Sequence, residues 1–128
     1  MALSGLAEGA DTIFAEQAIA LGISLDAIIA YRDLIADFSP GSSRARHLHL
    51  CALSRALHML PFSERSVEAY SALGRQLVNS CDLLVAAWNG LPPIDEGGTG
   101  AVVSYAHMIG RPVIHVHTLQ QTIMYTMI

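Results

Sequence analysis

Short apolar runs alternate with helix-patterned segments along this chain, and that alternation limits the fold more than any other feature. The runs are MALSGL at the front, SLDAIIAY at 24–31, LLVAAW at 83–88 and PVIHVHT at 112–118. LLVAAW carries no polar residue, the pattern of a strand buried on both faces. In ADTIFAEQAIALG, Phe14, Ala18 and Leu21 share one stripe, with Asp11 as a candidate N-cap and Gly22 just past the end. The stretch 43–60, SRARHLHLCALSRALHML, sets Leu50, Leu53, Leu57 and Leu60 at helical spacing. A further helix is expected over 64–79, with Val67, Tyr70, Gly74, Leu77 and Val78 as its apolar face, and another over 99–109, ended by Gly110 and Pro112. FSPGSS, 38–43, reads as loop. Strand–helix alternation with short turns predicts an α/β domain with a mostly parallel sheet and right-handed crossovers. The tail 118–128 is apolar and unpatterned, open to helix, edge strand or contact surface.

Composition narrows the partners. A chain of 128 residues fits a single domain over 1–128 that buries roughly two-thirds of its unfolded surface. It is 52% hydrophobic, contains no lysine and carries a formal charge of −4. That balance argues against a nucleic-acid surface, which needs a basic face. The first basic residue is Arg32, so no charged leader region is expected, and no apolar run reaches the ~18 residues of a membrane span. We therefore expect a cytoplasmic protein with Cys51 and Cys81 reduced. His115 and His117 share a strand face, but neither a Cys-x-x-Cys nor a His-Glu-x-x-His accompanies them or the pair His47 and His49. Satisfied or surface histidines are the better reading, with no metal and no cofactor.

Two glycine-bearing turns sit after a strand and before a helix: SGLAEGAD, 4–11, and NGLPPIDEGGTG, 89–100. Such a turn is either plain turn chemistry or a seat for an anion, because helix N-termini present free N–H groups and partial positive charge. Gly97, Gly98 and Gly100 remove Cβ atoms from the backbone's surroundings, and Thr99 adds a hydroxyl. No lysine follows the glycines as in a Walker A loop, and neither turn has the G-x-G-x-x-G spacing. Trp88, ending the apolar run, is placed either to stack on a base or to close the core edge.

Three segments together carry a resemblance: LSGLAEGAD opening a helix, CDLLVAAWNG as a strand, and EGGTGAVVSYAHMIGRPVIHV as loop, helix and strand. With YRDLIADF and YSALGRQLVNSCD, they make almost the whole chain resemble the SMF/DprA–LOG (SLOG) superfamily, closest to its bacterial sensor-type domains. The resemblance implies a three-layer Rossmann-like domain that binds a nucleotide or nucleotide derivative. Ligand contacts would come from Ser4 and Gly5, and from Gly97, Gly98, Thr99 and Gly100. Trp88 is then a candidate for the base and Arg75 for phosphate, while Asp11 would brace its turn.

Two departures shape the expectation. The phosphoribohydrolase branch carries P-G-G-x-G-T-x-x-E. Aligned on Gly97 and Gly98, Glu96 falls at its proline, Ala101 at its threonine and Ser104 at its glutamate. A serine cannot stabilise charge on a ribose as a carboxylate does. We therefore expect a sensor rather than an enzyme; the alternative is an N-glycosidase or deoxyribosyltransferase-like activity using Glu96 or Asp95. The family also places a strand and helix before SGLAxGAD, whereas Met1 falls almost on what should be the second strand. The usual first strand is expected to be lacking, and an open edge on so apolar a core predicts a homo-oligomer.

Overall fold

The structure is a computed structural model, described here for residues 1–126. The chain forms two compact units, divided between Arg65 and Ser66, each an α/β arrangement.

The first unit runs β1 (Ala2–Ser4), α1 (Ala10–Ala20), β2 (Leu25–Ile29), α2 (Ser42–Leu53) and β3 (Ala56–Met59), with a short 3-10 turn at Leu34–Asp37. Its three strands are parallel in the order β1-β2-β3, with Ala2 opposite Leu25 and Asp26 opposite Ala56. All five β2 residues are buried. The one charged member, Asp26, is held by both the Nε and Nη2 of Arg55 at 3.0 and 2.8 Å. This fork draws the Asp26 carboxyl below its ordinary range.

The N-cap of α1 is Gly9, not Asp11, and of the expected stripe only Ala18 is buried, together with Thr12 and Ala15, while Phe14 and Leu21 are exposed. Small residues let it lie close to the sheet, which leaves Leu21 74% exposed. It closes as expected at Gly22, where the N–H of Ile23 donates to the Ala18 carbonyl and that of Gly22 to Ile19.

The 43–60 stretch is not one helix. The α2 helix stops at Leu53, Ser54 turns extended, and Ala56–Met59 pairs with β2. Leucine spacing alone carried the helical pattern past Ser54, whereas the open edge of β2 offered residues 56–59 a ladder of backbone hydrogen bonds.

The second unit runs α3 (Val67–Ser80), β4 (Leu84–Trp88), α4 (Thr99–Met108), β5 (Val113–His117) and β6 (Thr122–Thr126). Strands β4 and β5 are parallel, and β6 returns antiparallel on β5. Residues Thr122–Thr126 of the tail thus form an edge strand, and 127–128 lie outside the described residues. Ser66 caps α3 by accepting the Ala69 N–H at 3.0 Å. The core lies on one face of the sheet, where Val78, Val103 and Ala106 pack on Ala86 and Val113, flanked by Leu84, Trp88, Val102 and Tyr105. The other face is open: Val85 is 44% exposed, so β4 is not buried on both faces. Helices α3 and α4 approach so closely at Gly74 that a Cβ there would stand 2.6 Å from Val102 Cγ2. No helix among the described residues is long and apolar enough to cross a membrane.

Candidate functional site

In the second unit, β4 delivers Trp88 to the start of a loop that ends at the N-terminus of α4. The loop folds on its own side chains. Asn89 Oδ1 accepts the Leu91 N–H at 3.0 Å, and Asp95 Oδ1 accepts the Gly97 N–H at 2.8 Å. Asp95 is therefore engaged in the turn's own backbone.

The three expected glycines have different surroundings. A Cβ on Gly97 would meet Tyr70 Cβ at 3.2 Å and the Val67 carbonyl at 3.3 Å. One on Gly100 would meet the Pro93 backbone at 3.2 Å and Trp88 Nε1 at 3.3 Å. Both positions are tightly packed. Gly98, the N-cap of α4, has nothing within 4 Å and an ordinary φ of −89°. Its side faces open space, and no side chain caps the helix. The N–H groups of Thr99 and Gly100 begin α4 without intrahelical acceptors; those of Ala101 and Val102 both turn to the Gly98 carbonyl.

Around this start stand Trp88, Arg75 and Glu96. Trp88 is half-buried against the core, its ring 4.9 Å from that of His115, which stacks on His117 at 5.2 Å. His115 is buried, with Nε2 3.0 Å from the Trp88 carbonyl oxygen, and His117 Nδ1 accepts the Gln120 N–H. Stacked rings engaged with backbone do not converge on an ion, and no cluster of three metal-binding side chains occurs among the described residues.

Arg75 lies 4.8 Å over the Tyr105 ring and 4.0 Å from Glu96, while Tyr105 donates to Asn79 Oδ1 at 2.7 Å. The Arg75–Glu96 pair is solvent-exposed and contributes little to stability. The cleft it lines with Ser71 and Tyr105 holds only about 30 Å³, too small to enclose a nucleotide. The accessible surface is the open side at Gly98.

The first unit contains the Ser4–Gly5 turn, which is braced from within. Ser4 Oγ accepts the Leu6 N–H at 3.1 Å and donates to the Asp11 carbonyl at 3.3 Å. Asp11 Oδ2 accepts the Ala7 N–H, and Thr12 Oγ1 donates to the Ala7 carbonyl. Ser4 and Gly5 are both buried. Burial pushes the Asp11 carboxyl above its ordinary value, against the pull of the Ala7 N–H. Asp11 is thus a turn brace, though not the cap of α1. Glu8, drawn down by the Ser39 N–H, ties the same turn to the loop before α2.

Leu6 adopts φ +51°, the left-handed region, while fully buried. Its carbonyl is held by His47 Nδ1 at 3.0 Å, and Cys51 Sγ lies 3.5 Å from His47 Nε2. The sequence pairs His47 with His49 by spacing, but His49 is exposed on α2 and takes no part in this clamp. The signal was His47 standing three residues before the buried Leu50. Burial lowers the His47 pKa and raises those of Cys51 and Cys81. Neither thiol is poised as a nucleophile.

No family model matches the chain, and no curated protein matches it.

Each site can be described by its chemistry. The start of α4 offers unpaired backbone donors on an open surface beside an indole and an arginine, which together suit an anionic group carrying a flat ring. Asp95 and Glu96 are both exposed at the same turn. The Ser4 turn offers a closed network whose hydroxyl is already both donor and acceptor.

Proposed function

We propose that this protein binds a nucleotide or nucleotide-derived small molecule as a sensor, at the start of α4. Phosphate or ribose would lie against Gly98 and Thr99, with the base toward Trp88 and Arg75 swinging onto the phosphate from its exposed place over Tyr105 and beside Glu96. The observation that carries this reading is Gly98. It is the one glycine of the three with open space where its Cβ would be, and it stands at the uncapped N-terminus of a helix. The Rossmann-like character of the fold belongs to the same reading, supported by parallel strand–helix–strand units in both halves.

A second reading, N-glycosidic cleavage of a nucleoside or nucleotide, rests on Glu96. Its carboxylate flanks the same turn and, unlike that of Asp95, is not engaged with loop backbone.

Trp88 is the only tryptophan, so its fluorescence reports on the site directly. Titration with AMP, ADP, ADP-ribose and adenosine, paired with native mass spectrometry, tests both readings. Saturable quenching and retained mass, both lost in Gly98→Val, are expected for the sensor. Release of a free base that stops in Glu96→Gln moves the assignment to the glycosidase. A folded protein that retains none of these compounds refutes both.

A further inference from the structure

The ligand site leaves unexplained the edge of the second sheet, where every residue of β6 is exposed. Ile123 is 73%, Met124 49% and Tyr125 58% exposed. Exposed edges are ordinarily guarded by lysine, proline or a bulge. Here no aspartate, glutamate, lysine or arginine occurs from Pro112 to the end of the chain, and no proline follows Pro112.

The backbone directions follow from the neighbouring strands. Thr118 donates to the Trp88 carbonyl, and Leu84 donates to that of Pro112, so the even-numbered residues of 112–118 face β4. Val113, His115 and His117 therefore face β6, where their partners are Thr126, Met124 and Thr122. The N–H and C=O groups of Ile123 and Tyr125 are left pointing to the open edge.

We propose that two copies of this chain pair antiparallel through β6, about a two-fold axis at Met124. TIMYT is nearly its own mirror under that operation. Thr122 meets the second copy's Thr126, Met124 meets itself, and Ile123 meets Tyr125 on both sides of the axis. The outward groups of Ile123 and Tyr125 then exchange four backbone hydrogen bonds, and β-branched residue packs on aromatic across the seam. The near-symmetry of TIMYT selects a second copy as occupant, and charge does not oppose it. A chain of net charge −4 is repelled by itself wherever its acids face each other, and this strand presents none. The seam joins the two sheets at β6 and is independent of any ligand at α4.

Analytical ultracentrifugation of the full chain across a wide concentration range gives the test. The wild type is expected to be a dimer. Ile123→Lys with Tyr125→Lys sets lysine against lysine twice and is expected to raise the dissociation constant at least about tenfold. Ile123→Lys with Tyr125→Glu sets lysine against glutamate twice and is expected to restore the dimer. Amide exchange of Ile123 and Tyr125 in the wild type, slow only where the dimer forms, reads the seam without any substitution. A wild type that stays monomeric, the two double variants behaving alike, or unprotected amides in the dimer overturns the proposal.

Discussion

Gly74→Ala sets two opposed effects against each other, and the structure decides between them. In an exposed helix interior this substitution stabilises by about 1 kcal/mol, because glycine loses the most backbone freedom on folding. At position 74 the new methyl would stand 2.6 Å from Val102 Cγ2, inside any tolerable contact. Val102 lies within α4, where a valine has one strongly preferred rotamer, so its methyl cannot simply swing away. Overpacking of this kind costs roughly 1–3 kcal/mol. The net expectation is a loss of up to about 2 kcal/mol, or several degrees in melting temperature for a chain of this size. The sign should reverse in a Val102→Ala background. There the clash is gone, and Gly74→Ala should stabilise by up to about 1 kcal/mol, giving a coupling of about 1–3 kcal/mol across the pair. Urea denaturation of the four proteins of this cycle measures it. Gly74→Ala stabilising the otherwise wild-type chain would refute the reasoning, since α3 and α4 could not then be in contact through Val102.

Two further outcomes follow from the same geometry. Gly98→Ala should leave the melting temperature within experimental scatter, whereas Gly100→Ala, pressed against the Pro93 backbone and Trp88, should lower it and alter the near-ultraviolet signal of Trp88. Equal effects at both positions would remove the distinction between an open glycine and a packing glycine. His47 has its pKa lowered by burial, so the unfolded chain takes up its proton first as the solution is acidified. Its stabilising contribution should be complete above the unfolded histidine's value near pH ~6.5 and be lost as the pH falls through its folded value. Urea midpoints of wild type and His47→Gln against pH should therefore converge toward acid, and parallel curves would show that His47 does not titrate this way.

Three of the strands were legible because each concentrates apolar residues in a short run bounded by turn signals. The runs at β2, β4 and β5 stand out in this way, although β2 carries Asp26, β5 carries two histidines and β4 lies at the edge of its sheet. Strand β3 was hidden because Leu57 and Leu60 continue a spacing begun on α2; only the pairing of Ala56–Met59 with β2, invisible to periodicity, separates them. Strand β6 lacked a turn signal. The connection after His117 contains neither glycine nor asparagine, and Gln121 takes φ +54° in their place. In the candidate site, sequence marks a cluster of glycines but not what each one faces. Gly97 and Gly100 answer to the α3 backbone and to Pro93, contacts made only after folding, and Gly98 alone is left open. The His47 clamp was unreadable for the same reason, since its acceptor is a carbonyl 41 residues away.

That acceptor belongs to Leu6, a position at which no natural side chain serves every demand. A left-handed backbone favours glycine, while the completely enclosed site it occupies calls for a large hydrocarbon. Substitution to glycine would relax the chain and hollow the interior; substitution to a β-branched residue would fill the interior and worsen the chain. Leu6 is a point of local frustration held in place by its neighbours, and in any library of variants it should be among the least replaceable residues of the molecule.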